Sequence, residues 1–217
     1  MKRCRLCAAE ELQRIADEDM DSDDYYHCPE CDLIMLPEAE LPAPAEERRR
    51  YLDHDNTFAT SGYVRMFEEF IGDFIEPRLE EMEKALDFGC GPGPVLATML
   101  KERGLDVDIY DPYFFPEDDF LEEKYDLITS TEVFEHLSSP AEELEILLDV
   151  LKPGKYLALM TSLHPGPEEM SGWNYRHDDT HITFFSWLTV KWLEENYPLR
   201  IAASDRKKVV LLRRTER

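Results

Sequence analysis

Strand-like and helix-like segments alternate from about residue 60 to the end of the chain. The segments with the composition of buried or half-buried strands lie at 85–87, 106–111, 125–131 and 156–160. Apolar residues at helical spacing follow at 95–100 and 144–151, and another helix is predicted over 62–84. Ser139 and Glu142 have the spacing of a capping box at the start of the 144–151 helix. This order predicts an α/β fold with a mostly parallel sheet.

Three glycines separate the first predicted strand from the helix that follows it. Gly89, Gly91 and Gly93 come soon after Asp87, and the helix begins near Val95. Glycine permits positive φ and close approach of a ligand, and the N-terminus of a helix presents unpaired N–H groups. We therefore expect a cradle for a nucleotide-like cofactor. The spacing matches the dinucleotide motif G-x-G-x-x-G only in part, and glycine turns of this kind also occur in α/β proteins without such a ligand.

An acidic residue ends the second predicted strand. Asp111 lies about 20 residues beyond the glycine turn, where a carboxylate accepts hydrogen bonds from the ribose hydroxyls of a bound cofactor. The alternative is that Asp111 only caps the turn that it forms with Pro112.

Four of the five cysteines lie in the first 31 residues, in two closely spaced pairs. Cys4 and Cys7 are separated by two residues, as are Cys28 and Cys31. This pattern is typical of a Cys4 zinc ribbon, in which the closed coordination shell makes the metal structural. Disulfides are the alternative, but nothing in the sequence indicates export. We expect a zinc ribbon at 1–36, a linker and leading helix at 37–59, and the main domain at 60–217.

The chain is strongly acidic, with 48 Asp and Glu against 24 Lys and Arg and a formal net charge of -24. Such a charge repels phosphates and disfavours a nucleic-acid partner. No apolar run approaches the roughly 18 residues that span a membrane, and no signal-peptide core follows the N-terminal basic residues. We expect a cytoplasmic protein without a membrane partner.

The chain contains two motifs, Asp-Phe-Gly-Cys-Gly-Pro-Gly at 87–93 and Glu-Val-Phe-Glu-His at 132–136. They resemble motifs of the class I S-adenosylmethionine-dependent methyltransferases, in particular of the ubiquinone-methyltransferase-like group. The resemblance covers roughly residues 60–217 and implies a Rossmann-like sheet that is closed by an antiparallel hairpin of 199–203 and 208–212. The segment between the second and third predicted strands is too short for the family's usual helix and strand. We therefore expect a curtailed third strand and six strands in all.

The resemblance also implies which residues contact S-adenosylmethionine. They are Asp87, Gly89, Cys90, Gly91, Gly93, Asp111, Thr131 and Glu132.

Methyl transfer to a hydroxyl needs alignment of the acceptor and a base for its proton. His136 and His181 are the candidates for this base, with Glu135 as a further catalytic candidate. The alternative for either histidine is that it serves only as a structural hydrogen-bonding group.

The set Glu132, Glu135, His136 and His181 resembles the divalent-ion ligands of small-RNA 2′-O-methyltransferases, which implies Mg²⁺ or Mn²⁺ here. His177 is the alternative to His181. Aromatic and basic residues at 173–177 are expected to face the substrate.

The functional expectation is transfer of a methyl group from S-adenosylmethionine to a small-molecule acceptor. Oxygen is the expected acceptor atom, with nitrogen and carbon as alternatives. Two other functions stay open: an RNA or tRNA methyltransferase that uses the ribbon for recognition, and a non-catalytic zinc-ribbon adaptor that binds the cofactor.

Overall fold

A computed structural model describes residues 3–15, 25–53 and 61–216. The β-strands within these ranges are β1 (Gln13–Ile15), β2 (Tyr25–His27), β3 (Ile34–Met35), β4 (Lys84–Phe88), β5 (Asp106–Tyr110), β6 (Tyr125–Thr131), β7 (Leu151–Met160), β8 (Thr183–Phe184), β9 (Leu199–Ser204) and β10 (Val209–Arg214). The α-helices are α1 (Pro44–Asp53), α2 (Ser61–Phe70), α3 (Val95–Glu102), α4 (Pro140–Val150) and α5 (Trp187–Asn196).

The larger sheet has six strands in the order β5-β4-β6-β7-β10-β9. The first four are parallel to one another, and β10 is antiparallel to both of its neighbours. Between β5 and β6 the chain forms only a bridge from Asp111 to Phe115 and a short 3-10 turn at Asp119–Glu122. The α/β fold class, the C-terminal hairpin and the curtailed third strand are thus confirmed.

Both faces of this sheet are buried, as expected for parallel strands covered by helices. Residues from α4 and α5, such as Leu144 and Val190, pack with Leu86 and Ile128 on one face. Residues from α2 and α3 pack with the alternate strand positions, including Leu127, on the other. The carboxyl ends of β4, β5 and β6 therefore meet at one edge, where the candidate residues lie.

The cysteine-rich segment forms a second, four-stranded sheet in the order β1-β2-β3-β8. Its last strand comes from the main domain, because β3 pairs antiparallel with β8. The domain boundaries at 36 and 60 stay a prediction, and residues 54–60 lie outside the described ranges.

Two local expectations are wrong. The helix predicted over 62–84 ends at Phe70 and continues as a π-turn at Ile71–Ile75 and a 3-10 segment at Glu76–Glu81, which contains Pro77. Proline has no backbone N–H and disrupts a regular helix. The Ser139 side chain makes no cap bond, because its backbone is not in the extended conformation usual for a cap. A reciprocal capping box forms instead between Ser186 and Thr189 at the start of α5.

Across the described ranges, every helix is too short or too polar to cross a lipid bilayer.

Candidate active site

The glycine turn after β4 packs tightly against the turn after β6. The amides of Gly89 and Cys90 donate to the carbonyl oxygen of Tyr110 at 2.8 and 3.1 Å. Gly89 has φ +77°, and a Cβ there would lie 2.3 Å from a methyl carbon of Val133. Gly91 also has positive φ, at +66°, but space around it is open. Gly89 is therefore required by packing, whereas Gly91 leaves room for a ligand at the backbone.

Asp111 joins the glycine turn to the end of β5. Its Oδ2 accepts from the Gly91 amide at 3.0 Å, and its Oδ1 accepts from the amides of Tyr113 and Phe114 at 2.9 and 3.2 Å. Burial raises the pKa of this carboxyl above its usual value. Asp111 thus caps its own turn and also faces the glycine turn.

A cavity of about 510 Å³ lies at this edge of the sheet. Eight of the predicted site residues line it: Gly89, Cys90, Gly91, Asp111, Thr131, Glu132, His136 and His181. Asp87 and Gly93 are not among the lining residues. The charged lining residues that the structure describes are acidic, namely Glu47, Asp111, Glu132, Glu143 and Asp178.

Asp87 lies below the glycine turn rather than at the cavity surface. It is 2% exposed, and its Oδ1 accepts from the Thr129 hydroxyl at 3.0 Å. Burial raises its pKa to about 7. The carboxylate joins β4 to β6 through Thr129 and to the backbone of Ala97 in α3, and direct contact of Asp87 with a cofactor stays a prediction.

Two histidines line the cavity next to each other, with 4.8 Å between the ring centroids of His136 and His181. The Nδ1 atom of His136 lies 2.8 Å from the carbonyl oxygen of Thr180, and the Nδ1 atom of His181 lies 2.6 Å from that of Tyr175. A carbonyl only accepts, so each Nδ1 carries the proton and each Nε2 is left as an acceptor. Burial lowers the pKa of both rings, which favours the neutral form.

Glu135 lies beneath these rings and is fully buried. Its Oε1 accepts a hydrogen bond from the Tyr175 hydroxyl, while Oε2 has no partner within the described part of the chain. Burial first, and the nearby Glu132 second, raise the pKa of Glu135 to about 7. Potential ligand atoms of Glu135, His136 and His181 all lie within 4.8 Å of one another.

Glu132 lies outside this group of closely spaced ligand atoms in the described residues, and the four-ligand set stays a prediction. Its backbone has φ +55°, and its Oε1 lies 3.0 Å from the Nζ of Lys208. Its Oε2 accepts from the Tyr175 hydroxyl at 3.2 Å. The ion pair with Lys208 engages one oxygen of this carboxylate, and the exposed His177 is not part of the ligand group that contains His181.

Helix α1 lies in the segment predicted as a linker and leading helix, and it supplies cavity residues that were not among the predicted site residues. The Tyr51 hydroxyl donates to Oε1 of Glu47 at 2.7 Å, and Tyr113 donates to the other oxygen at 2.5 Å. The Tyr51 ring meets that of His136 edge-on, with 5.2 Å between centroids. Glu47 and Tyr51 have the i, i+4 spacing of one helical face, and this was the signal available in the sequence.

The four predicted zinc ligands come together in the N-terminal segment. The Sγ atoms of Cys4 and Cys31 are 3.5 Å apart, those of Cys7 and Cys28 are 3.4 Å apart, and all four lie within 4.8 Å of one another. Tetrahedral zinc with thiolate bonds of about 2.3 Å requires separations of about 3.8 Å. The donor set therefore fits zinc, and the distances exceed the roughly 2.05 Å of a disulfide.

A family model described as a methyltransferase domain matches residues 58–203, which is more than half of the chain. The chain belongs to this methyltransferase domain family. It is therefore an enzyme, and it has the fold of the S-adenosylmethionine-dependent methyltransferases. No curated protein sequence matches it.

Two solved structures with TM-scores above 0.5 agree on the fold at low sequence identity. A SAM-dependent methyltransferase from Archaeoglobus fulgidus is 15% identical, with TM-score 0.52, over 70% of this chain and 94% of that one. The N-methyltransferase NodS from Bradyrhizobium japonicum WM9, solved with S-adenosyl-L-homocysteine, is 14% identical, with TM-score 0.51, over 79% and 98%. The carbon methyltransferase CurJ is 15% identical with TM-score 0.41 over 67% of this chain, which spans only 51% of that protein.

Proposed function

We propose that this methyltransferase moves a methyl group from S-adenosylmethionine to the hydroxyl oxygen of a small molecule. The observation that carries the proposal is a single cavity that joins the open glycine turn to two neutral imidazoles with acceptor nitrogens. The S-adenosyl-L-homocysteine in the NodS structure supports the choice of donor.

The residues on the donor side fit an adenosyl group with an amino-acid tail. Gly91 has positive φ and no neighbour within 4 Å of a built Cβ, so its backbone is accessible to a ligand. Asp111 lies at the strand tip where a carboxylate accepts ribose hydroxyls. Thr131 and Glu132 line the cavity at the end of β6. When bound, S-adenosylmethionine supplies an electrophilic methyl group on a sulfonium.

On the acceptor side, a histidine Nε2 takes the proton of the incoming hydroxyl. A neutral imidazole is the right form for this step, because a protonated ring has no free lone pair. The carbonyl oxygens of Thr180 and Tyr175 hold the two rings in the required tautomer. We assign the role of base to His181 and the orientation of the acceptor to His136. Tyr175 packs against the His181 ring and donates to Glu135, and these two residues hold the histidines in place.

The charge of the cavity favours a neutral or cationic acceptor over a nucleic acid. The described lining residues include five carboxylates and neither lysine nor arginine. Phosphate groups of an RNA would be repelled by this surface. This observation favours a small molecule over the RNA or tRNA alternative.

The Cys4 cluster is assigned to structural zinc. Four thiols at tetrahedral spacing and without an open ligand position hold the fold of the ribbon rather than react. Free thiols also suit the reducing cytoplasm, where we place the protein.

The experiment is a screen with labelled S-adenosylmethionine over phenols, other alcohols, amines and tRNA, followed by His181→Ala with the best acceptor. We expect the rate of methyl transfer to fall by about 10²–10⁴-fold, because the proton acceptor is lost. Binding of S-adenosyl-L-homocysteine should be retained. His177→Ala, an exposed neighbour, is the matched control and should behave like the parent.

Two outcomes contradict the proposal. Full activity of His181→Ala rules out the base assignment, and transfer to tRNA alone rules out the small-molecule assignment. Adding Mg²⁺, Mn²⁺ or EDTA to the same assay tests the predicted divalent ion, since an ion at Glu135, His136 and His181 would make activity depend on it.

A further inference from the structure

The N-terminal ribbon and the loop that carries His181 share one sheet. β3 pairs with β8, with Ile34 opposite Phe184 and Met35 opposite Thr183. The amide of Leu36 adds one more bond, because it donates to the carbonyl oxygen of Ile182 at 2.9 Å. Ile182 directly follows His181, so the last bond of the ribbon sheet is made beside the proposed base.

Arg5 closes this junction from the ribbon side. It lies between the ligands Cys4 and Cys7, and its guanidinium donates to the carbonyl oxygens of Leu36 at 2.7 Å and Ile182 at 3.3 Å. A guanidinium is a planar fork of five donors that holds two acceptors in a fixed geometry. The position of the Ile182 carbonyl therefore depends on the fold of the first cysteine knuckle, the turn that carries Cys4 and Cys7.

The Ile182 residue connects the ribbon to the acceptor side of the cavity. Its carbonyl accepts the two ribbon bonds, and its own amide donates to the carbonyl oxygen of Glu135 at 2.8 Å. The ring of the preceding His181 stacks near Tyr175, with 4.2 Å between centroids. A shift of the Ile182 peptide would thus move both His181 and the backbone of Glu135.

A second anchor holds the other end of the same strand. Asp32, which directly follows Cys31, accepts from the Ser186 hydroxyl at 2.5 Å through Oδ2. Its backbone oxygen lies 2.8 Å from Nε2 of His164. Arg5 and Asp32 are each the chain neighbour of a predicted zinc ligand. The two cysteine knuckles, the turns at 4–7 and 28–31, therefore contact the segment 182–186 through a hydrogen bond at each end.

Apolar contacts join the ribbon both to the β8 segment and to the main core, because Leu33 and Met35 belong to the same buried cluster as Leu86 and Phe88 of β4. Residues of the ribbon and of the loop before and within β8 form one buried cluster: Tyr25, Ile34, Leu36, Met170, Ile182 and Phe184. Among the described residues, hydrogen bonds from the ribbon reach Ile182, beside His181, in the loop before β8, whereas the hydrogen bonds described above for the glycine turn are made with Tyr110 and Asp111.

We propose that the zinc-loaded ribbon positions the acceptor side of the active site, and that Arg5 is the positioning residue that fixes His181 through Ile182. This inference rests on the proposed function, because it takes His181 as the base. The metal contributes the fold of the knuckles and no chemistry at the cavity. Loss of the Arg5 contacts should loosen His181 while binding of S-adenosyl-L-homocysteine is retained.

The experiment compares Arg5→Met with Arg3→Met in the full zinc-loaded chain. Arg3 lies on the same knuckle, but it is exposed and pairs with Glu10. The measurements are zinc content, hydrogen exchange of the Ile182 and Leu36 amides, the imidazole NMR resonance of His181, and affinity for S-adenosyl-L-homocysteine. Arg5→Met removes the two hydrogen bonds that Arg5 donates to the carbonyl oxygens of Ile182 and Leu36. We therefore expect this junction to open more often, so that hydrogen exchange at both amides rises about tenfold and the His181 resonance shifts.

Arg3→Met should match the parent in all four measurements, and zinc content and S-adenosyl-L-homocysteine affinity should stay within about twofold in both variants. Arg5→Lys should restore part of the hydrogen-exchange protection of the Ile182 and Leu36 amides, since an ammonium can reach one of the two carbonyls. If Arg5→Met fails to bind zinc, Arg5→Lys replaces it in the comparison. Parental exchange rates and an unshifted His181 resonance in both Arg5 variants would overturn the inference. Failure of the parent to bind S-adenosyl-L-homocysteine is a separate result, which would remove the proposed function instead.

Discussion

At the scale of single residues, the site depends on buried carboxyl groups that are held in an apolar setting. Asp87 and Glu135 both have pKa values raised to about 7, mainly because burial disfavours the charged form. Asp126 is the opposite case: it accepts from the amides of Glu83 and Lys84 and pairs with Lys152, and these contacts hold its pKa below the usual value despite burial. We therefore expect the stability of the protein to depend on pH in opposite ways at the two carboxyls with raised pKa values and at Asp126.

Asp87→Asn should gain stability relative to the parent as the pH rises from 4 to 8. The folded-state pKa of about 7 lies above the unfolded value of about 3.9, so the folded protein binds more protons in this window and loses stability through it. Asparagine keeps the acceptor for Thr129 and cannot ionise. We expect a relative gain on the order of 4 kcal/mol in urea unfolding, because a difference of one pKa unit between the folded and unfolded states corresponds to about 1.4 kcal/mol.

Asp126→Asn is the control for this measurement. Because its folded pKa is lowered, the contribution of Asp126 to stability is complete above the unfolded pKa, and the variant should differ from the parent by a nearly constant amount between pH 4 and 8. A pH-independent difference for Asp87→Asn as well would show that Asp87 is ionised throughout.

At the scale of elements, α1 forms part of the cavity and not a passive connection. Tyr51 contacts the rings of Tyr113 and His136, and Glu47 accepts from two tyrosine hydroxyls. We expect Tyr51→Ala to weaken binding of S-adenosyl-L-homocysteine about five- to tenfold, because the aromatic contact over the cavity is lost. Leu52→Ala is the control, since Leu52 is 51% exposed. Equal affinities of the two variants in calorimetry would show that α1 does not cover the ligand.

The strands and helices around the glycine turn could be predicted from the sequence because their signals are local. The run ending at Asp87, the three glycines and the helix after Val95 lie within a few residues of one another. The pairing of β3 with β8 could not be predicted, because each strand has two residues and the partners are far apart in the chain. The same reason explains why the roles of Arg5 and Tyr175 appear only in the structure, where their partners come from distant segments.

At the scale of the whole molecule, the net charge of -24 opposes the compact state through self-repulsion. Salt screens the repulsion between charges that are farther apart than about 10 Å at 0.1 M and about 3 Å at 1 M. We expect the midpoint of thermal unfolding at pH 7.5 to rise by several degrees between 0.05 and 1 M KCl.

Near pH 4.5, the sequence isoelectric point, the same change in KCl should have little effect on the midpoint, because the net charge is close to zero. A midpoint at pH 7.5 that is independent of KCl would show that repulsion does not limit stability.

The central claim is that the cavity at the glycine turn binds the methyl donor. The most direct test is a calorimetric titration of S-adenosyl-L-homocysteine into the zinc-loaded chain and into Gly91→Val, with Gly72→Ala as control. Gly91 has φ +66° in open space, so valine is strained there and occupies room at the cavity, whereas Gly72 has open space and no positive φ. We predict one site per chain in the parent and in Gly72→Ala, and at least tenfold weaker binding in Gly91→Val at unchanged zinc content. Absence of binding in the parent, or equal affinity in all three proteins, would contradict the account.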